Sequence, residues 1–280
     1  MLSIFNGVGW KAYQNFSQRD LRERDDEYMN TLEQNLNHDL VKEIHLFYTD
    51  DNSMQVVRRK QFQNRQKIIP VKSGRRLHMA DFFIYASRNL INKTVVALNG
   101  DIVLGDGFDT IDTERLMDER VMFSLTRYNL ENQNKTCNIS NMVLPSEYDA
   151  SHDSHIFRLG KPLDEEILTD YLDFPINMWG ADNAMIWVFR FKLNFTVRNP
   201  CVVLKTYHNH CVKVHGPIQM EVRKTKYSIY FISYRGWRLS HVLESATYFE
   251  SCLEYGWQGK NPISAHKDPK AIESIQHTMA

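Results

Sequence analysis

The triplet Asn99-Gly100-Asp101 directly follows the apolar, β-branched run TVVAL. An acid on a tight turn at the end of a buried strand lies at the carboxyl edge of a sheet, where open α/β folds bind ligands. The neighbouring glycine lets backbone approach a ligand closely. The Asp101 carboxylate could hold Mg²⁺ or Mn²⁺ against a diphosphate, because hard, partly hydrated ions take oxygen ligands. A solvated β-turn is nevertheless the commoner use of such a triplet.

Four other clusters carry chemistry. Ser151-His152-Asp153-Ser154-His155 reads as a polar segment leading into a strand, with Arg158 at its end; Asp153 beside two imidazoles suits a general base, and Arg158 suits a phosphate or sugar oxygen. Trp179-Gly180-Ala181-Asp182-Asn183 places an acid at a helix start, where it is usually an N-cap. After Asn199-Pro200 come His208, His210 and, further on, His215. On a strand His208 and His210 point to one face and could ligate a metal with Asp101. Lys72, Arg75 and Arg76 precede a helix that contains Asp81; two arginines can clamp a diphosphate bidentately, although a basic loop is more often merely solvated.

These residues need a scaffold, and hydrophobic spacing supplies one. Ser17 caps a helix predicted over 18–37, with Leu21, Tyr28, Leu32 and Leu36 on one stripe and Arg and Glu on the other side. The run VKEIHLFYT alternates as a strand; a basic segment follows (Arg58, Arg59, Lys60), then the short apolar KIIPV. SGRRLHMADFFIYASRNLI reads as a helix, TVVAL as a strand buried on both faces, and IVLG as a resumed apolar run. Strands are predicted at VMFSLTR, HIFRL, FTV, VVLKTY and KYSIYFISY, and helices beginning near Gly180-Ala181-Asp182-Asn183 and continuing through AMIWVFRF, and over HVLESATYFESCL. Strands alternating with helices predict an α/β sheet with crossovers. With no repeat or linker, one domain over 1–280 is the economical organisation.

Composition excludes several functions. The 280 residues carry 34 Lys+Arg and 34 Asp+Glu, for a formal net charge of +0. That balance lacks the electrostatic footprint of a nucleic-acid or anionic-membrane binder. No apolar run reaches the ~20 residues of a membrane span. The start MLSIFNGVGWKAYQNF lacks the pattern of a secretory signal, so a cytoplasmic location is expected. The four widely spaced cysteines, Cys137, Cys201, Cys211 and Cys252, form no CxxC and are expected as free thiols. In a cytoplasmic chain the Asn-x-Ser/Thr triplets at Asn15, Asn92, Asn134, Asn138 and Asn194 are coincidental.

The order of these clusters resembles glycosyltransferases of the GT-A fold: LNGDI is similar to their Asp-x-Asp turn, WGADN to their later acid and YHNH to their C-terminal histidine. SHDSHIF, INMWGADNAMIW and RNPCVVLKTYHNH are closer still to a group of sugar transferases of algae and their large DNA viruses. The resemblance spans about residues 43–215. It implies a Rossmann-like half (about 1–125) that binds the nucleotide sugar, an acceptor-binding half (about 126–280), and a mixed central sheet flanked by helices. It also implies a UDP-sugar donor, UDP-xylose in the narrower group, and inversion to a β linkage on a glycan acceptor, there the fucose of a viral capsid N-glycan, in host cytoplasm. Asp182 or Asp153 would be the base. Lys72, Arg75, Arg76, Asp81, Asn99, Gly100, Asp101, Arg158 and Asn183 would bind the donor, and Asp101, His208 and His210 a divalent Mn or Mg ion. Asn99 departs from the pattern, replacing the first acid and weakening the expected metal dependence. A sugar nucleotidyltransferase is the rival enzyme, although GVGWKAY is a poor phosphate-cradling loop. A glycan-binding protein is the rival outside catalysis, with Trp10, Trp179, Trp187, Trp237 and Trp257 as stacking platforms. The aromatic run YSIYFISY would serve as core, acceptor platform, sheet-edge cover or homodimer contact.

Overall fold

The computed structural model describes residues 17–130, 138–144, 152–176 and 181–212, together with the backbone of five short strands, Leu2–Ile4, Tyr230–Ser233, Gly236–Leu239, Tyr248–Glu250 and Ala265–Lys267. Along the chain the strands are β1 (Leu2–Ile4), β2 (Ile44–Tyr48), β3 (Ile68–Lys72), β4 (Thr94–Leu98), β5 (Ile102–Leu104), β6 (Val121–Thr126), β7 (Asn129–Leu130), β8 (Met142–Val143), β9 (His152–Arg158), β10 (Thr196–Arg198) and β11 (Thr206–His208). The helices are α1 (Gln18–Asn37), α2 (Asp51–Arg59), α3 (Met79–Asn89), α4 (Thr113–Asp118), α5 (Glu165–Leu172) and α6 (Ala181–Phe191).

Seven strands form one sheet in the order β10-β6-β9-β4-β1-β2-β3. Every neighbouring pair is parallel except those of β9, which runs antiparallel to both β4 and β6. The protein is therefore a mixed α/β, Rossmann-like fold with helices on both faces of the sheet. Period-two alternation sorts the strand side chains between two cores. Phe47, Val95, Ala97, Met122 and Phe157 pack with α3, α5 and α6, whereas Ile44, Leu46, Leu98, Phe123 and Ile156 pack with α1, α2 and α4.

Helix starts follow their caps. Ser17 and Asp20 form a capping box on α1, and Asp50, Asp112 and Asp164 accept from backbone amides at the starts of α2, α4 and α5. The buried face of α1 is partly polar: Arg24, Thr31 and Asn35 are buried with Leu32 and Leu36. Asn35 acts as a surrogate strand, its amide donating to Ile102 O (2.8 Å) and accepting from Leu104 N (2.9 Å). This satisfies one edge of β5 while β11 pairs with the other.

Several expectations need correction. Of the basic segment Arg58, Arg59 and Lys60, the first two close the helix α2 and Lys60 is its C-cap; that helix is held by three buried residues, Ser53, Met54 and Val57. The segment 152–155 is not a loop but the first half of β9. The strand expected at VVLKTY begins only at Thr206; Val203 N and Leu204 N turn back on Pro200 O. Residues 248–250 are strand rather than the expected helix. Cys201 and Cys211 are both disulfide-bonded, not free thiols. Ser151, Trp179, Gly180 and His215 lie outside the described residues.

Candidate functional site

The turn after β4 joins two opposed pieces of chemistry. On one side Asp101, 8% exposed, gathers three cationic or titratable groups on a single oxygen. Arg24 Nη2 donates to Asp101 Oδ2 at 2.5 Å, His208 Nε2 lies 3.3 Å from it and His210 Nδ1 3.8 Å from it. Burial alone would push the Asp101 carboxyl up, but His208, Arg24 and His210 together hold it well below the usual carboxylate range.

Three elements fix this cluster. β11 pairs antiparallel with β5, setting His208 opposite Ile102, and Asn209 N donates to Asp101 O at 2.8 Å. His208 Nδ1 lies 3.1 Å from Asn129 Oδ1. Helix α1 clamps the following segment: Glu27 Oε1 accepts from Cys211 N and Val212 N, and Asn209 Nδ2 donates to Glu27 O and Thr31 Oγ1. Arg24 also donates to Glu27 Oε2 at 2.7 Å, so the guanidinium spans two carboxylates.

The ligand atoms of Asp101, His208 and His210 all lie within 4.8 Å of one another, the one such group among the described residues. A carboxylate and two imidazoles form a mixed oxygen–nitrogen set, which Mn²⁺ accepts more readily than Mg²⁺. The donor set therefore fits the expected cation. Arg24 already supplies positive charge at the shared oxygen, so an ion would be held through what that guanidinium leaves free.

On the other side of the turn, Asn99 Nδ2 donates to Asp153 Oδ1 at 2.6 Å, and Arg127 Nη1 donates to Asp153 Oδ2 at 2.5 Å. Asp153 and Asn99 line a cleft with His155, Ile176 and Asp182, floored by Met79, Phe82 and Phe83 of α3. Asp153 and His155 face the same way by strand alternation. Asp182 enters from the first turn of α6. The neutral amide at position 99 has a local reason: an aspartate there would set two carboxylates against each other.

The structure brings Asn99, Gly100, Asp101, Asp153, Asp182, His208 and His210 to one edge of the sheet. Asn183 stands beside Asp182 in α6. The remaining expected donor ligands are engaged elsewhere. Lys72 pairs with Asp51 at 2.7 Å. Arg75 pairs with Asp81 at 2.8 Å and Asp173 at 3.0 Å, and His78 lies 2.6 Å from Asp173; Asp81 also caps α3 by accepting from His78 N. Arg76 sits in the same loop before α3. Arg158 needs the clearest correction: β9 is reversed, so Arg158 lies opposite Thr94 at the amino edge of β4, where it pairs with Glu114 at 2.5 Å.

Sequence reasoning missed Arg24 and Arg127. Arg24 was legible as a member of the stripe 24, 28, 31, 35, whose spacing puts it on the buried face. Nothing local marks Arg127, which follows β6 and meets Asp153 only through strand pairing. Asn199 is a second positioning residue: its amide accepts from Thr126 N (3.0 Å) and donates to Thr126 Oγ1 (2.8 Å), which fixes the end of β6 beside Arg127. Of the tryptophans, Trp187 packs its ring 6.4 Å from Tyr171 and 5.5 Å from Phe191 as part of the α5–α6 layer.

No family model and no curated protein matches this sequence. Among solved structures, HddC from Yersinia pseudotuberculosis is similar with a TM-score of 0.37 and 13% identity, covering 71% of this chain and 88% of that one. A candidate glucose-1-phosphate thymidylyltransferase from Bacillus anthracis, in complex with a sucrose, has a TM-score of 0.39 and 11% identity, with 71% and 85% covered. HddC complexed with GMP-PN gives 0.37 and 12%, with 74% and 92% covered. Likeness at this level is a partial overlap of α/β layers and assigns no activity to this chain.

Proposed function

We propose that this protein is a nucleotide-sugar-dependent glycosyltransferase that moves a sugar onto a hydroxyl of a glycan acceptor with inversion. The observation that supports it is the two-sided turn: Asn99 faces a cleft lined by two carboxylates, and Asp101, two residues on, is buried against Arg24, His208 and His210. Glycosyl transfer poses two problems, the proton of a poor nucleophile and the charge of the departing diphosphate. The two sides of the turn answer one each.

In this reading Asp182 takes the acceptor proton while the acceptor oxygen bonds to the anomeric carbon and the bond from that carbon to the diphosphate breaks. Asp153, with both oxygens already accepting from Asn99 and Arg127, orients the cleft rather than receiving the proton. Arg24, His208 and His210 face the developing diphosphate charge. A divalent ion on Asp101, His208 and His210 would supply further positive charge there. The mixed sheet with its reversed β9 fits the GT-A arrangement that the sequence resembles, and the narrower resemblance makes UDP-xylose the first donor to try, with a fucose-containing glycan as acceptor.

A second reading is sugar nucleotidyl transfer, in which the same turn would face a triphosphate. A single screen separates the two. Purified protein is incubated with UDP-xylose, UDP-glucose, UDP-galactose, UDP-N-acetylglucosamine and GDP-sugars, with and without Mn²⁺, and separately with nucleoside triphosphates and sugar 1-phosphates. Release of nucleoside diphosphate from a nucleotide sugar supports transfer. Pyrophosphate release from a triphosphate supports the second reading, and neither product refutes both. An α-linked product from an α-configured donor would remove Asp182 as base.

A further inference from the structure

Three non-glycine residues among those described adopt a left-handed backbone: Asn92 (φ 62), Arg120 (φ 49) and Asn194 (φ 54). Each sits just before a strand, respectively β4, β6 and β10. These three strands run parallel to one another, since β9 reverses between β4 and β6 and β10 pairs parallel with β6. The three turns therefore share the amino edge of the sheet, opposite the Asn99–Gly100–Asp101 turn.

Asn92 and Asn194 have the same local construction. Asn92 and Asn194 each stand three residues beyond the last helical position, of α3 and α6 respectively, and each is exposed. Each is followed two residues later by an exposed threonine that opens a strand, Thr94 of β4 and Thr196 of β10. A left-handed residue at this edge does not demand asparagine, because Arg120 adopts the same backbone conformation directly before β6. Nor does the turn demand threonine two positions later, where the β6 turn has Met122, fully buried. What the two asparagine turns share beyond geometry is the Asn-x-Thr acceptor pattern, with amide and hydroxyl both at the surface.

An independent observation concerns the cysteines. Cys201 and Cys211 are disulfide-bonded, and disulfides persist in oxidising compartments rather than in a reducing cytosol. Compartments that oxidise thiols on the secretory route are those in which Asn-x-Thr triplets are glycosylated.

We infer that Asn92 and Asn194 are N-glycosylation sites of a chain that folds in an oxidising secretory compartment, not in the cytoplasm. The co-reactant is a polyisoprenyl-diphosphate oligosaccharide. The asparagine amide nitrogen bonds to its anomeric carbon, the bond from that carbon to the diphosphate breaks, and one amide proton is lost. Both glycans would project from the edge of the sheet remote from the candidate site and leave the cleft open. Neither site depends on the proposed activity.

The test uses the full-length protein immunoprecipitated from its source cells. Treatment with peptide-N-glycosidase in heavy-oxygen water should convert Asn92 and Asn194 to labelled aspartate. Alkylation under denaturing conditions without reductant should leave Cys201 and Cys211 unmodified. Recovery of both asparagine peptides unmodified overturns the assignment, and alkylation of both cysteines overturns the compartment. In cells secreting the protein, Thr94→Ala and Thr196→Ala should each remove one glycan while keeping the left-handed asparagine and the turn. Two glycans retained in the double variant would likewise sink the proposal.

Discussion

Arg24 and Asp101 lie 77 residues apart in sequence and meet at 2.5 Å beneath the turn that follows β4, with both side chains almost wholly buried. Burying an ion pair costs desolvation on both sides, and removal of one partner leaves the other charge stranded. Arg24→Met should destabilise the fold by about 3 kcal/mol, and combining it with Asp101→Leu should recover part of that loss. Urea denaturation of the two single variants and the double variant measures the coupling; strict additivity would mean the pair contributes nothing.

The two acids of the cleft should separate kinetically. Asp182→Asn should lower kcat by at least about 100-fold with little change in KM, as expected for loss of a proton acceptor. Asp153→Asn should cost less in kcat but reduce stability, because Arg127 loses its carboxylate. Steady-state kinetics beside thermal unfolding tests both, and full activity in Asp182→Asn would remove it from the mechanism.

Asn99→Asp restores the acid found in the family pattern but sets it against Asp153, whose Oδ1 lies 2.6 Å from the present amide. The substitution should weaken the protein at neutral pH and recover in acid, where one carboxyl of the pair can be protonated. A rise in midpoint for the variant relative to wild type between pH 7 and pH 4 is the expected signature.

His155 carries a pH dependence of the opposite sense. Burial pushes its imidazole down to about 3, with His152 adding to the shift, and its Nδ1 lies 2.9 Å from Ser124 Oγ. The unfolded chain binds this proton near 6.5, so between those values the unfolded state holds more protons. Stability from His155 is complete above 6.5 and falls as pH drops toward 3, by up to ~1.4 kcal/mol per pH unit. His155→Gln should flatten that acid limb. An unchanged slope in the variant would show that other groups set it.

Gly107 holds a φ of 93°, and a Cβ there would come within 2.1 Å of Val203 O. Gly107→Ala should cost about 3 kcal/mol or more, because strain at a left-handed position adds to a backbone clash. That turn helps seat the segment before β11, so the variant should also lose donor affinity, measurable by calorimetry with UDP.

Much of the scaffold was legible in the chain. Alternation marked β2, a continuous apolar run marked β4, helical spacing marked α1 and α3, and the acids and imidazoles that meet at the sheet edge were each visible as polar clusters. What escaped had a physical reason. Helix α2 is only nine residues long, and its buried face holds just two apolar side chains, Met54 and Val57. Asp153 reads as a loop residue because the strand that holds it is polar at its start. Arg158 was misplaced because direction within a sheet is not written locally; only the reversed pairing of β9 carries it to the far edge. Arg24 was read as solvated because a charge on an amphipathic helix normally is.

The reversed β9 also dictates an order of assembly. Strands β1 to β4 and helices α1 to α3 are complete once residue 98 has been made, and they already hold Arg24 and the approach to the turn. Asp153 arrives with β9, Asp182 with α6, and His208 and His210 only with the segment that folds back on β5. During synthesis the amino-terminal half thus stands with one flank of its sheet at β4 unpaired, a template for wrong partners. The cluster at Asp101 is complete only after residue 210 has emerged, so products interrupted earlier carry the turn without His208 and His210.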